Sequence, residues 1–334
     1  PCNCRGHAVH GTADEKSRRR DAPHVRGVHG LLFQLHTVSP HRQCHVHAIV
    51  DDDPSSGAAD SIECRTCEGG QVVSTEIVFA ELDEIDAGIV STPTSEHFQI
   101  SMNLLKNGKH VLVEKPITTT VEEATDLIEV AGRVGRILQV GHLERFNEAV
   151  RATEGLVSAP RFIESARLAP FKQRGTDVSV VLDLMIHDID LIQSIVRSPI
   201  TDIDAIGTRV FSDDIDIANA RIRFESGCVA NVTASRVSLK TERKLRIFDD
   251  ERYVSVDLGQ KVLTVIRKSG ATNESGLPQV AIDERTYEQG DALRAEIEAF
   301  AESIRSGAAP LVGGHEGREA LSTAIRIAAL VNAS

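Results

Sequence analysis

From about Val78 the apolar positions fall into short runs separated by longer periodic stretches. AGIVSTPTSEH reads as a buried strand followed by a turn, and EHFQISMNLLKNG continues with helical spacing, with Gly108 standing where a helix stops. HVLVEKP is a second short strand. TTTVEEATDLIEVAGRVG opens with Thr120 and Glu123 at capping-box spacing and repeats Val121, Ala124, Leu127, Ile128 and Ala131 at helical intervals. RILQVG is a third strand. Short strands separated by helices are the signature of a parallel α/β sheet.

After Gly141 the pattern changes. DVSVVLDLMIHDIDLIQSIV, residues 177–196, predicts one helix, apolar on nearly every side and therefore buried. IANARIRFESGCVANVTASRV reads as a hairpin turning at residues 225–227. KLRIFDDERYVSVDL and KVLTVIRKSG add further strands, so a mostly antiparallel sheet with one covered face is expected. Residues 291–332 return to helices. The fold class is α/β: a Rossmann-like parallel-sheet domain joined to an α/β domain with an open, mostly antiparallel sheet. The expected boundaries are 1–141 for the dinucleotide-binding domain, 142–290 for the substrate and oligomerisation domain, and 291–334 for C-terminal helices packing back on the first domain. Residues 1–43 lack any sustained period and are atypical or disordered; 55–73 also read as loop.

The chain has 334 residues and a net charge of -12, which argues against a nucleic-acid or anionic-membrane partner. No run approaches a membrane span and no signal-peptide pattern opens the chain, so a soluble cytoplasmic protein is expected. Eight of the 13 histidines and three of the six cysteines lie in residues 1–50. Cys64-x-x-Cys67 is half of a metal knuckle, but Cys2-x-Cys4 is too tight for the usual first half, and no metal site is expected. Asn231-Val-Thr233 matches a glycosylation acceptor that has no meaning without secretion.

Candidate chemistry starts in the buried helix. Asp183, His187 and Asp190 lie four and three apart on one side, where a polar stripe must be paired or face a cavity. A carboxylate four residues before an imidazole suits proton transfer; a satisfied core pair is the alternative. A parallel sheet puts ligands at the carboxyl ends of its strands, here Ser91-Thr92-Pro93 and Glu114-Lys115-Pro116. Lys115 is either held at that crevice or solvated in a loop. Asp51 ends a strand, where it is either an ordinary acidic turn residue or a ribose-binding carboxylate. RLAPFKQRG supplies Arg167, Lys172 and Arg174, a basic group that suits an anionic substrate if it faces a cleft.

Through Glu114-Lys115-Pro116, Asp183-x-x-x-His187, VSTPTSEH, GHLERFN, DLMIHDID and GREALSTAIRIA, the chain resembles the Gfo/Idh/MocA oxidoreductases from about Cys44 to its end. The resemblance implies NAD(P) in the Rossmann domain and a sugar or sugar-nucleotide substrate on the second. Lys115 would hydrogen-bond the reacting hydroxyl, Asp183 would belong to the same network, and His187 would take the hydroxyl proton. Ser91, Thr92, Pro93 and His97 would line the cofactor with Glu114 beside its nicotinamide, and Asp51 would favour NAD over NADP. GHLERFNEAV and RLAPFKQRGTDVSVVLDLMIHDID look like the branch of UDP-N-acetylglucosamine 3-dehydrogenases, associated with lipid A synthesis. Other readings are a catalytically impaired sugar-nucleotide binder and a dehydrogenase of a free sugar or inositol. The open sheet predicts a dimer or tetramer.

The front departs from this family. Where a first strand and G-x-G-x-x-G are needed to seat a pyrophosphate, only Gly27-x-x-Gly30 stands, and Met185 takes a place the family often gives to glycine. The His/Cys/Arg-rich text of residues 1–43, and of 55–73, suggests translation out of frame.

Overall fold

Strands with no polar face need cover on both sides, and the apolar runs after residue 84 have it. A computed structural model describes residues 85–333 except 172–177, 273–275, 277 and 288–289, together with four short strands before them. Those four are β1 (His24–Arg26), β2 (Leu32–Gln34), β3 (Val46–Ile49) and β4 (Val72–Val73). They are followed by β5 (Ala87–Val90), α1 (Thr94–Lys106), β6 (His110–Glu114), α2 (Val121–Val134) and β7 (Leu138–Gly141). A five-stranded parallel sheet runs in the order β4-β3-β5-β6-β7.

Alternation sorts its side chains between two layers. Ala87, Ile89 and Leu112 pack on Ile297 and Phe300 of α5 (Ala292–Ser306). Val90, Val111, Val113 and Val140 face the other way, onto Ile100, Leu104 and Leu127 of α1 and α2. The α2 capping box forms as its spacing predicts: Thr120 Oγ1 accepts from the Glu123 N–H, and Glu123 Oε2 from the Thr120 N–H, each at 3.2 Å.

The second unit has α3 (Glu148–Arg151), β8 (Phe162–Leu168), α4 (Ile186–Val196), β9 (Ile200–Thr208), β10 (Ile217–Phe224), β11 (Val229–Ser235), β12 (Glu242–Phe248), β13 (Arg252–Asp257), β14 (Val262–Thr272) and β15 (Pro278–Thr286). Its eight-stranded sheet is ordered β15-β14-β13-β12-β8-β11-β10-β9, antiparallel except for β8 beside β11. The hairpin at residues 225–227 forms between β10 and β11 as its pattern predicts.

Three features depart from expectation. β8, Phe162–Leu168, was not foreseen and contains Arg167 and Leu168 of RLAPFKQRG. β15 was not foreseen: it is an edge strand exposed on both faces, so burial imposes no alternation on it. The single helix over 177–196 is instead a π-helical turn, Val181–Met185, leading into α4.

The last helix, α6 (Gly314–Ala333), spans both units. A Cβ on Gly317 would come within 2.7 Å of Val140 Cγ2, so glycine permits the close approach of α6 to β7. Further along, Ala324, Ile327 and Val331 enter the core of the second unit with Ile186 and Ile189. No helix among the described residues is long and apolar enough to cross a membrane.

Candidate active site

The carboxyl ends of β5 and β6 point at the start of the buried helix. Lys115 Nζ donates to the main-chain oxygen of Asp183 at 2.7 Å and pairs with Asp183 Oδ1 at 3.3 Å. A lysine at a strand end of the parallel sheet thus reaches the second unit, and the solvated-loop alternative is set aside. Asp183 does not orient His187: no hydrogen bond joins them among the described residues, and His187 Nδ1 is enclosed without a partner. The π turn explains this, because the Ile186 N–H bonds back to Val181 O and the wider turn breaks the four-residue stacking expected of an α-helix. Burial, reinforced by the positive charges of Lys115, Arg167 and Arg243, holds the imidazole well below its ordinary pKa. At neutral pH the ring is therefore unprotonated and able to accept a proton.

Ser91, Thr92 and Pro93 follow β5 at the crevice edge, and Thr92 Oγ1 is buried with no partner. Glu114 ends β6, where burial raises its carboxyl pKa against the pull of Lys115. These groups fit the nicotinamide end of a dinucleotide, since an enclosed hydroxyl with no partner leaves capacity for a bound amide. His97 has a different place. It is 1 % exposed, and its Nδ1 and Nε2 lie 2.8 Å and 2.9 Å from the carbonyl oxygens of Pro116 and Thr92. It ties the two crevice loops together from behind, with no polar atom left for a ligand. Asp51, Gly27, Gly30, Cys64, Cys67, Lys172 and Arg174 lie outside the described residues. β1 and β2, which flank the two glycines, pair antiparallel with each other and not within the parallel sheet.

Arg167, read as a substrate-binding cation, is already engaged. It is 4 % exposed, with Nε donating to Asp188 Oδ2 at 2.6 Å and Nη1 to Glu144 Oε1 at 2.9 Å. Burial opposes its charge, but the two carboxylates outweigh burial and raise its pKa. Asp188 also accepts from Ser165 Oγ at 2.6 Å. Among the described residues, Arg243 is an exposed cation beside Arg167 that sequence reasoning missed. It pairs in register with Arg167 across β12 and β8. It shares its sheet face with Leu245 and Ile247, acts electrostatically on His187, and has no ion-pair partner among the described residues.

Two further buried groups were also missed. His142 follows β7 in GHLERFN. Glu296 sits on α5 at an apolar-stripe position among Leu293, Ile297 and Phe300, which was the available signal. Both Glu296 carboxyl oxygens are buried without partners among the described residues, and burial, with Glu114 adding to it, pushes the pKa well above the ordinary range. Such a carboxyl holds its proton more tightly folded than unfolded. Stability therefore falls as pH climbs from the ordinary carboxylate range through the raised value. Glu296→Gln should remove that slope and stabilise the chain by about 1–3 kcal/mol above neutral pH. Urea midpoints in acid and in mild alkali check this; equal midpoint shifts at both would contradict it.

Comparison with known proteins accords with this arrangement. The family model described as an oxidoreductase family with an NAD-binding Rossmann fold matches residues 27–142, and the GFO/IDH/MocA C-terminal domain matches residues 121–254. A UDP-N-acetylglucosamine 3-dehydrogenase of Acidithiobacillus ferrooxidans is 38% identical over 257 residues, covering 77% of this chain and 82% of the relative. A scyllo-inositol 2-dehydrogenase (NAD(+)) of Bacillus subtilis is 28% identical, covering 78% and 79%. A solved structure of the Acidithiobacillus ferrooxidans enzyme superimposes with a TM-score of 0.77 at 32% identity, covering 86% of this chain and 97% of that one. The chain belongs to the Gfo/Idh/MocA family and is an oxidoreductase with an NAD-binding Rossmann domain.

Proposed function

We propose that the protein oxidises the 3-hydroxyl of a UDP-N-acetylhexosamine to a ketone, with NAD as the oxidant. The observation that carries this reading is the meeting of Lys115 with Asp183 next to an unprotonated His187, groups from two different units converging on one crevice. The 38% identity to a UDP-N-acetylglucosamine 3-dehydrogenase supports the substrate. Ser91, Thr92, Pro93 and Glu114 would hold the nicotinamide end, and a ribose-binding role for Asp51 would favour NAD over NADP. When bound, NAD supplies the hydride acceptor.

Lys115 Nζ donates to the reacting hydroxyl oxygen and favours its ionised form. Asp183 fixes the ammonium through its carbonyl and carboxylate. His187 takes the hydroxyl proton at Nε2, since Nδ1 is the enclosed nitrogen. Arg243 meets the diphosphate, with Lys172 and Arg174 as further cations. Arg243→Ala should raise KM for UDP-N-acetylglucosamine by about 10- to 100-fold, the equivalent of about 1.5–3 kcal/mol, with kcat little changed. Steady-state kinetics decide it, and an unchanged KM sets Arg243 aside.

The antiparallel pairing of β1 with β2 outside the parallel sheet favours one second reading, a sugar-nucleotide binder that has lost its cofactor loop. Calorimetry with NAD and with UDP-N-acetylglucosamine, alongside NADH formation, separates the two. NADH formed with the UDP-sugar supports the dehydrogenase, and UDP-sugar binding without NAD binding supports the binder. NADH formed only with an inositol moves the substrate. The exposed Ile206, Val280 and Ile282 on the open sheet support a dimer or tetramer, which light scattering tests.

A further inference from the structure

Alcohol oxidation releases one proton for each hydride transferred. With substrate and cofactor covering the crevice, a proton on His187 needs another way out. Behind His187 lies a short series of enclosed polar groups with unused hydrogen-bonding capacity. His142 is 1 % exposed, and neither ring nitrogen has a partner among the described residues. Its ring stands edge-on to that of His187, centroids 6.5 Å apart at 88°, a span that one water covers. Asp190 lies one helical turn beyond His187 on α4 and is 3 % exposed, with Oδ2 unpartnered and Oδ1 3.6 Å from Arg145 Nη1. Asp190 and Arg145 also line a second cleft, with His315, Glu316, Thr323 and Arg326, whose walls include none of Lys115, Asp183 or His187.

We propose that His142 and Asp190 form a proton outlet carrying the proton released at His187 to this second cleft. This rests on the dehydrogenase reading. The substrate hydroxyl proton goes to His187 Nε2, and His187 releases a proton from Nδ1 to His142. His142 passes one to Asp190 Oδ2, which discharges into the cleft. The hydride leaves separately to the oxidant, so each turnover moves one proton along the series and leaves both imidazoles in their other tautomer, which proton exchange with water resets once product has left.

The charged groups facing the series are Lys115 from the loop after β6, Arg145 from the turn after β7 and Glu316 from α6. Burial lowers the His142 imidazole, against the attraction of Asp190. Burial raises the Asp190 carboxyl, with Glu316 adding and His142 and Arg145 opposing. The two proton affinities therefore approach each other, which keeps transfer between them inexpensive.

The test uses the full chain and two variants, His142→Gly and Asp190→Asn. With the substrate that the wild type oxidises, each variant should lower kcat by about 10-fold or more at unchanged KM. The solvent isotope effect, fitting several protons in flight in the wild type, should fit one in Asp190→Asn. Free imidazole should restore His142→Gly several-fold. Unchanged kcat and isotope behaviour, or a kcat loss that imidazole does not relieve together with an unchanged isotope pattern, overturns the outlet. Nitrogen NMR of the imidazoles needs no turnover. His142 and His187 should titrate as one coupled pair in the wild type and in Asp190→Asn, with His142 lowered further in the variant by loss of the carboxylate. Independent titration in both overturns the outlet even if the chain is active, whereas a wild type that forms no NADH while its histidines are coupled overturns only the dehydrogenase reading.

Discussion

His187→Asn is expected to lower kcat by about 10²- to 10⁴-fold, the range a positioned general base contributes. NAD affinity should be unchanged, because the proposed cofactor groups Ser91, Thr92 and Glu114 belong to the other unit. The direction follows from the environment. Burial and the cations Lys115, Arg167 and Arg243 keep the imidazole unprotonated at neutral pH, which is the state the proposed proton abstraction needs. The pH profile carries the sharper test. Since the His187 pKa is lowered, the acid limb of kcat/KM should lie below the ordinary imidazole range, and it should vanish in the variant. A variant that retains wild-type kcat would show that another group removes the proton. Loss of NAD binding along with kcat would instead point to damage beyond the site.

The second large effect concerns stability. Arg167→Met should cost about 3–5 kcal/mol, because it strands Asp188, fully buried, without its positive partner. Glu144 loses its 2.9 Å contact as well. The loss should be recovered in large part by replacing Asp188 with leucine in the same chain, since an apolar pair has no buried charge to compensate. Denaturant midpoints at constant m-value give the single and double effects, and their difference is the coupling. If Arg167→Met instead leaves stability intact and raises KM for the UDP-sugar, Arg167 is a substrate cation and its contacts with Asp188 and Glu144 are incidental.

Local patterning carried much of this molecule. Runs such as AGIV, residues 87–90, and VLV, residues 111–113, are apolar throughout because helices cover both faces of the parallel sheet, and that cover is encoded residue by residue. Thr120 and Glu123 mark a helix start because a capping box needs only residues three apart. Lys115 was legible as a crevice residue from its place after a strand, and His187 from its charge inside an apolar helix. The family resemblance joined them before any coordinates did.

Contacts between distant segments decided the rest. Arg167 and Arg243 are the same residue type, in register on neighbouring strands, and no periodicity separates them. Only the position of Asp188 and Glu144 against the first makes one structural and leaves the other exposed. His97 has the spacing of a crevice residue, but its helix turns it inward onto two carbonyls. The π turn at Val181–Met185 has no local signature, and it alone frees His187 from Asp183. His142, Asp190 and Glu296 became chemically distinctive through enclosure, which shifts proton affinity and withholds partners. Sequence sets which elements form because helix and strand periods are local; burial and pairing depend on what the folded chain brings alongside, and these made the site.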